Sequence, residues 1–129
     1  MLELVELATG EAFVVCALKR TGHEASFVFR YLAAMREADR EQWAKLVQRI
    51  RRLSDHGPMI ANDQKSRALQ GTDLFELKEG PTRIIWFYDR LQRRRIVMTH
   101  AFTKRRQKTP PQEVSRARGL QSEYYHSRT

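Results

Sequence analysis

The sequence predicts an α+β domain: a mostly antiparallel sheet, packed against two N-terminal helices and followed by a C-terminal helix. Two observations support this fold class. Apolar residues recur at helical spacing between positions 27 and 53, and short apolar runs separated by turn residues lie on either side of that region. A length of 129 residues is typical of one domain. We therefore interpret residues 1–129 as a single α+β sandwich.

The chain begins with two predicted strands. Residues 2–7 and 12–18 flank a polar turn at residues 8–11, which indicates a hairpin. The second strand contains Cys16, the single cysteine of the chain. It has no partner for an internal disulfide and lies in an apolar run, so we interpret it as a small buried residue.

Two amphipathic helices are predicted next. The apolar stripe of the first consists of Phe27, Val28, Tyr31, Leu32 and Met35. The stripe of the second consists of Trp43, Leu46, Val47, Ile50 and Leu53. Asp39, with Gln42 three residues later, is predicted to cap the second helix, and Gly57 followed by Pro58 is predicted to end it.

Residues 59–73 are interpreted as a polar connector, and three strands follow it. These strands are predicted at residues 74–78, 82–88 and 95–102, with the middle one apolar on both faces and therefore central. Simple alternation along the last strand places one set of side chains on a common face: Ile96, Met98, His100 and Phe102.

A C-terminal helix is predicted from the residues after position 108. Thr109 with Gln112 three residues later reads as a capping box, and Pro110 suits the first turn. The helix carries a thin apolar stripe, in which Tyr124 and the adjacent Tyr125 are interpreted as packing residues.

The net positive charge comes entirely from the second half of the chain. Residues 1–64 contain nine Lys or Arg and nine Asp or Glu, whereas residues 65–129 contain fifteen against six, which accounts for the net charge of +9. This asymmetry indicates a polyanionic partner for the second half, most simply the phosphates of a nucleic acid. A basic surface that meets an acidic protein is the alternative.

The sequence lacks the motifs that several types of enzyme chemistry require. It has no glycine-rich phosphate loop, no Cys/His cluster at metal-binding spacing and no His-Glu-x-x-His motif. We therefore expect no metal or other cofactor. Chemistry on phosphate without a metal stays open, since Arg and Lys can neutralise charge on phosphoryl oxygens. Crowding by other cations can also lower the pKa of a lysine until it acts as a base.

An ordered set of motifs resembles the RelE/HigB-type toxins, specifically their phage-derived branch. The set consists of Leu74–Lys78, Thr82–Ile84, His100–Arg105 and Gln107–Pro110, followed by the final helix. The resemblance covers about residues 65–125. It implies a RelE-like fold and a toxin that cleaves mRNA without metal, on the ribosome, by attack of the 2′-hydroxyl group on the adjacent phosphate. A cognate antitoxin, often a helix-turn-helix protein, is the implied partner.

The resemblance also implies which residues act. Arg83 and Lys104 match basic positions that would stabilise the scissile phosphate, and Lys78 or His100 would lie near the proton transfers. The residues expected to contact RNA are Arg67, Arg105, Arg106 and Lys108. Lys78 departs from the family pattern, which has arginine there, and lysine cannot bind a phosphate in bidentate fashion.

Each of these roles has a structural alternative. Arg83 could pair with Glu76 or Glu79 on the surface, Lys104 and Arg105 could be a solvated charge run, and His100 is better explained as a hydrogen-bonded core residue. For the whole protein the second hypothesis is a non-catalytic module that binds RNA or an acidic partner. No stretch is apolar for the roughly 20 residues that span a bilayer, and the N-terminus is acidic, so we expect a cytoplasmic protein.

Overall fold

The computed structural model describes residues 1–58, 66–105 and 108–128. The chain order is ββααββββα, and the fold is α+β as predicted. The strands are β1 (Leu2–Thr9), β2 (Val14–Arg20), β3 (Ser66–Ala68), β4 (Phe75–Glu79), β5 (Thr82–Tyr88) and β6 (Arg95–Thr103). The helices are α1 (Phe27–Ala38), α2 (Arg40–His56) and α3 (Pro111–His126).

Within the described residues the strands form one mixed sheet of six strands, in the order β1-β2-β6-β5-β4-β3. All neighbouring pairs are antiparallel except β2 and β6, which run parallel where Val14–Ala17 pairs with Arg95–Met98. β5 lies inside the sheet and is buried from Thr82 to Phe87, as predicted for a central strand.

The helices cover opposite faces of the sheet. Ile84 and Trp86 of β5 pack with buried residues of α1 and α2, among them Val28 and Leu46. The alternate residues Ile85 and Phe87 point to the other face and pack with Ala117, Leu120 and Tyr124 of α3. We call these the α1/α2 face and the α3 face. Cys16 is buried, as predicted.

The predicted boundaries of α2 are confirmed. The Asp39 side chain accepts a hydrogen bond from the backbone N of Gln42 at 3.1 Å, which satisfies a donor that the helix leaves unpaired. Gly57 ends the helix at φ +77°, where a residue with a Cβ would be strained. The end of α2 also holds the β1–β2 turn, because the Ser54 carbonyl accepts from the backbone N of Phe13 at 2.8 Å.

Two details of the sheet differ from the prediction. Residues 66–68 form the edge strand β3, although they were predicted to belong to a polar connector. In addition, the register between β5 and β6 shifts, so that Ile85 pairs with His100 while Trp86 pairs with Met98. The extra residue, Thr99, is a bulge that reverses the alternation of side chains.

The bulge corrects the predicted face of β6. Ile96 and Met98 pack on the α1/α2 face, whereas Phe102 packs on the α3 face, so the prediction of a common face was wrong. Alternation alone could not reveal this, since a bulge depends on the pairing with β5. Among the described residues, no helix has the length and apolar character needed to cross a membrane.

Candidate functional site

The register of three strands brings basic residues of the α3 face together. Arg67 of β3 lies opposite Glu76 of β4, and Lys78 of β4 lies opposite Arg83 of β5. Residues directly opposite in adjacent strands share a face of the sheet. Arg83 also shares its face with Ile85, two positions along β5, and therefore with α3. The predicted residues Arg67, Lys78 and Arg83 are thus neighbours on one face.

Glu76 lies at the centre of this group and is fully buried. Its Oε1 atom is 3.6 Å from Nε of Arg83 and 3.8 Å from Nη2 of Arg67. Its Oε2 atom accepts a hydrogen bond from the Thr109 hydroxyl group. We define the Glu76 cluster as Arg67, Glu76, Lys78, Arg83, Lys104 and Thr109.

Arg83 is held tightly in this cluster. It is only 7% exposed, and its Nη1 atom donates to the carbonyl oxygens of Gly80 at 2.6 Å and Thr82 at 2.9 Å. Burial lowers the pKa of its guanidinium, Glu76 raises this pKa, and Arg67 lowers it. The alternative for Arg83, a surface pairing with Glu76 or Glu79, corresponds to a pairing with Glu76 at a buried position.

Lys104 is buried as well, with 8% of its surface exposed. It follows β6, and its backbone N donates to the carbonyl oxygen of Pro81 at 2.7 Å. Burial lowers the pKa of its ammonium group, the negative charge of Glu76 raises it, and three neighbouring cations lower it: Arg83, Arg67 and Lys78. Lys104 is thus not part of a solvated charge run, in contrast to Arg105, which is exposed.

Thr109 belongs to the cluster and not to a helix cap. The N-cap residue of α3 is Pro110, and no side chain makes a capping hydrogen bond there. The predicted capping box was therefore wrong, because the Thr109 hydroxyl group donates to Glu76 instead. Pro111 occupies the first turn of the helix, where a missing backbone donor has no cost.

His100 has the contacts of a core histidine. It is 1% exposed, and its two ring nitrogens lie 3.1 Å from Oγ1 of Thr99 and 3.0 Å from Oε1 of Glu113. Burial lowers the pKa of the imidazole, the hydrogen bond to Glu113 raises it, and Arg116 lowers it. The ring nitrogens are thus engaged with partners outside the Glu76 cluster.

The remaining predicted RNA contacts lie around the cluster. Arg67 is half-exposed at the edge of the sheet, and Lys78, Arg105 and Lys108 are exposed. The predicted contact of Arg106 lies outside the described residues. Exposed cations next to buried ones form a surface that can track a polyanion and also present fixed charges to one of its groups.

Sequence reasoning missed Glu76 and Thr109 as members of the site. A signal for Glu76 was available, since it alternates with Lys78 on one face of its strand. Thr109 carried a misleading signal, because a threonine three residues before glutamine is typical of a helix start. No group of three or more His, Cys, Asp or Glu residues in the described ranges could hold a metal ion.

The arrangement can bind and neutralise an anionic group. The cluster combines four cations with one carboxylate, and two of the cations, Arg83 and Lys104, are less than a tenth exposed. Charges that are partly withdrawn from water act more strongly on a bound anion than fully solvated ones. The fold is that of a small α+β protein and is consistent with a small α+β toxin fold.

A comparison with family models identifies the family more closely. The model described as phage derived protein Gp49-like (DUF891) matches residues 33–121, and the chain belongs to this family. The family is part of the RelE/Gp49 toxin-like superfamily and is associated with toxins of toxin–antitoxin systems, which implies an antitoxin partner. A search of curated proteins found no match to the chain.

Proposed function

We propose that the protein is the toxin of a type II toxin–antitoxin pair, in the HigB-like branch, and that it cleaves mRNA on the ribosome. It acts in the cytoplasm, and its partner is an antitoxin, most simply of the helix-turn-helix type. The observation that carries the proposal is the Glu76 cluster, in which cations from β3, β4, β5 and the segment after β6 lie near one another on the α3 face. Membership in the toxin-associated family supports it independently.

The proposed reaction needs no group from outside the substrate and the protein. The 2′-oxygen of a ribose forms a bond to the adjacent phosphorus, and the bond from phosphorus to the 5′-oxygen of the next nucleotide breaks. The products are a 2′,3′-cyclic phosphate and a 5′-hydroxyl group. One proton leaves the 2′-hydroxyl group and one is delivered to the leaving oxygen.

The cluster offers residues for both tasks. Arg83 and Lys104 neutralise the charge that builds up on the phosphoryl oxygens, because they are positioned before the substrate arrives. Lys78 lies directly opposite Arg83 and is exposed, so it can reach the proton-transfer positions. His100 is a weaker candidate since its ring nitrogens are hydrogen-bonded elsewhere. The RNA backbone is held by Arg67, Arg105, Arg106 and Lys108.

The test is mRNA cleavage in a reconstituted translation reaction, mapped by primer extension. We expect the wild-type protein to cut mRNA, and Arg83→Ala or Lys104→Ala to lower the rate by about a hundredfold or more. Arg118→Ala is the matched control, because it removes an exposed cation of α3 outside the cluster. A messenger with 2′-deoxyribose at the mapped position should resist cleavage.

Two outcomes would contradict the proposal. Wild-type protein that binds the messenger without cutting it would favour the non-catalytic RNA-binding module. Equal cleavage rates for wild type and Arg83→Ala would show that Arg83 does not take part in the reaction. Far-ultraviolet circular dichroism of each variant is needed beside the assay, since Arg83 is buried and its loss can affect folding.

A further inference from the structure

We propose that Glu76 is a positioning residue of this site: one carboxylate fixes both the Arg83 guanidinium and Thr109, which lies just before α3. The inference rests on the proposed function and deepens it. Glu76 does not touch the RNA in this proposal, since its side chain is fully buried. It acts through the cations that do.

The two oxygens of Glu76 face different parts of the chain. Oε1 faces the sheet cations, at 3.6 Å from Arg83 and 3.8 Å from Arg67. Oε2 faces the segment just before α3, where it accepts the Thr109 hydrogen bond. A residue that only satisfied a neighbouring arginine would not need the second contact. The Glu76 carboxylate therefore links the cations of the sheet, through Oε1, to Thr109, through Oε2.

Glu76 and Arg83 form an ion pair without a hydrogen bond between Oε1 and Nε. Oε1 of Glu76 and Nε of Arg83 are both buried, and neither has a hydrogen-bond partner among the described residues. Buried polar atoms without partners are rare in native proteins and often mark functional sites. At 3.6 Å the pair interacts by charge, and Nε of Arg83 is not used in a hydrogen bond, whereas Nη1 is held by the carbonyl oxygens of Gly80 and Thr82.

Lys104 and Thr109, which lie between β6 and α3, are each held by a hydrogen bond to the sheet region. The backbone N of Lys104 donates to Pro81, and the Thr109 hydroxyl group donates to Glu76. The basic residues Arg105 and Lys108 lie between these two residues in the sequence. Without the Thr109 contact, the residues just before α3 would lose their hydrogen bond to the Glu76 carboxylate.

Glu76 also balances the charge around Lys104. The charged groups that face Lys104 are Arg67 of β3, Glu76 and Lys78 of β4, and Arg83 of β5. Glu76 raises the pKa of Lys104, whereas the three cations and burial lower it. Loss of the Glu76 charge should therefore lower the pKa of Lys104 further, and loss of the Lys78 charge should raise it.

A titration of Lys104 tests this balance without any activity assay. The Nζ resonance of Lys104 would be followed by nitrogen-15 NMR in wild type, Glu76→Gln and Lys78→Gln. Glutamine keeps an oxygen that can accept from Thr109 but has no charge. We expect the apparent pKa of Lys104 to fall in Glu76→Gln and to rise in Lys78→Gln. An unchanged pKa in Glu76→Gln, or a shift of the same sign in both variants, would overturn the inference.

Cleavage kinetics test the Thr109 contact. We expect Thr109→Val, which keeps the branched shape and loses the hydroxyl group, to lower kcat by about tenfold to a hundredfold with little change in KM. Thr109→Ser should restore most of the rate, because it returns the hydroxyl group. Thr109→Val is informative even if Glu76→Gln fails to fold, since Thr109 is half-buried at the surface.

The results separate the two proposals. If wild type does not cleave mRNA, the proposed function fails, and the Lys104 titration still tests whether the Glu76 charge acts on the cations of the cluster. If wild type cleaves and Thr109→Val cleaves at the same rate, the positioning role is wrong and the proposed function stands. Equal thermal unfolding of Thr109→Val and Thr109→Ser would show that the difference in kcat does not come from stability.

Discussion

The Tyr124 hydroxyl group donates a 2.5 Å hydrogen bond to the buried carboxylate of Asp89, which joins α3 to the hairpin between β5 and β6. Arg95 donates to the same carboxylate at 2.7 Å. The adjacent Tyr125 makes a different contact, since its hydroxyl group donates to the backbone carbonyl oxygen of Tyr88 at 3.3 Å. The end of α3 is therefore held by one charged and one neutral acceptor.

The first prediction concerns this pair of tyrosines. Tyr124→Phe should lower the free energy of unfolding by about 1.5–3 kcal/mol, the range for hydrogen bonds to charged groups. Tyr125→Phe is the matched control and should cost about 0.5–1.5 kcal/mol, because both partners of its hydroxyl group, the Tyr88 carbonyl oxygen and the Arg90 backbone N, are neutral. Urea unfolding followed by circular dichroism measures both values. A larger loss in Tyr125→Phe would contradict the assignment.

The same contact should make stability depend on alkaline pH. Burial, followed by the hydrogen bond to Asp89, raises the pKa of Tyr124 to about 12, above the value near 10 of an unfolded tyrosine. The folded state thus keeps its proton longer, and the stabilisation is fully present below about pH 10 and lost as pH rises towards about 12. The free energy of unfolding of wild type should therefore fall between about pH 10 and about pH 12, and that of Tyr124→Phe should not show this loss.

His100 leads to a prediction on the acid side. Burial lowers the pKa of the folded imidazole below the unfolded value near 6.5, so its stabilisation is present above about pH 6.5 and lost as pH falls through the folded pKa. Urea unfolding between about pH 8 and pH 5 should show a smaller loss in His100→Gln than in wild type. His23→Gln, which removes an exposed histidine outside the core, serves as the control substitution.

Arg105 should contribute to RNA affinity through charge alone, because it is exposed. Binding of a 2′-O-methyl RNA, which cannot be cleaved, would be measured at several salt concentrations. In a plot of log affinity against log salt, Arg105→Ala should reduce the magnitude of the slope by about 0.7 for one lost phosphate contact on a single strand. Arg118→Ala should leave the slope unchanged, and equal slopes for all three proteins would refute the contact.

Two glycines should respond to alanine in opposite directions. Gly119 lies within α3 with open space where a Cβ would be, so Gly119→Ala should raise the free energy of unfolding by about 0.8–1 kcal/mol. At Gly10 a Cβ would lie 2.4 Å from the Ser54 carbonyl group at the end of α2. Gly10→Ala should therefore cost about 1–3 kcal/mol. Thermal and urea unfolding would check both, and stabilisation by Gly10→Ala would contradict the packing.

The sequence was sufficient for features that depend on local periodicity. The stripe from Trp43 to Leu53 predicts α2, and the apolar run from Ile84 to Tyr88 predicts the central strand. Features that depend on the pairing between strands could not be predicted from the sequence. The bulge at Thr99 exists because of the register with β5, and Arg67 lies in an edge strand of three residues that is too short to show alternation.

The candidate site was predicted in part for the same reason. Arg83, Lys104 and Lys78 were identified through the resemblance, and the structure brings them near one another. Glu76 was considered only as a pairing partner of Arg83 and not as a member of the site, although it alternates with Lys78 on one face of β4. Thr109 was assigned to the helix, because a local capping motif outweighs a contact with a strand more than thirty positions earlier.

The parallel pairing of β2 with β6 has a consequence for the order of folding. The strands of the Glu76 cluster, β3 to β6, are consecutive antiparallel neighbours, so each pairing closes only a short loop. Val14 and Arg95 instead pair across most of the chain, which carries a larger loop-closure entropy. We expect the antiparallel strands β3 to β6 to form in the folding transition state and the β1–β2 hairpin to dock afterwards. Val15→Ala should then accelerate unfolding, whereas Ile85→Val should slow refolding.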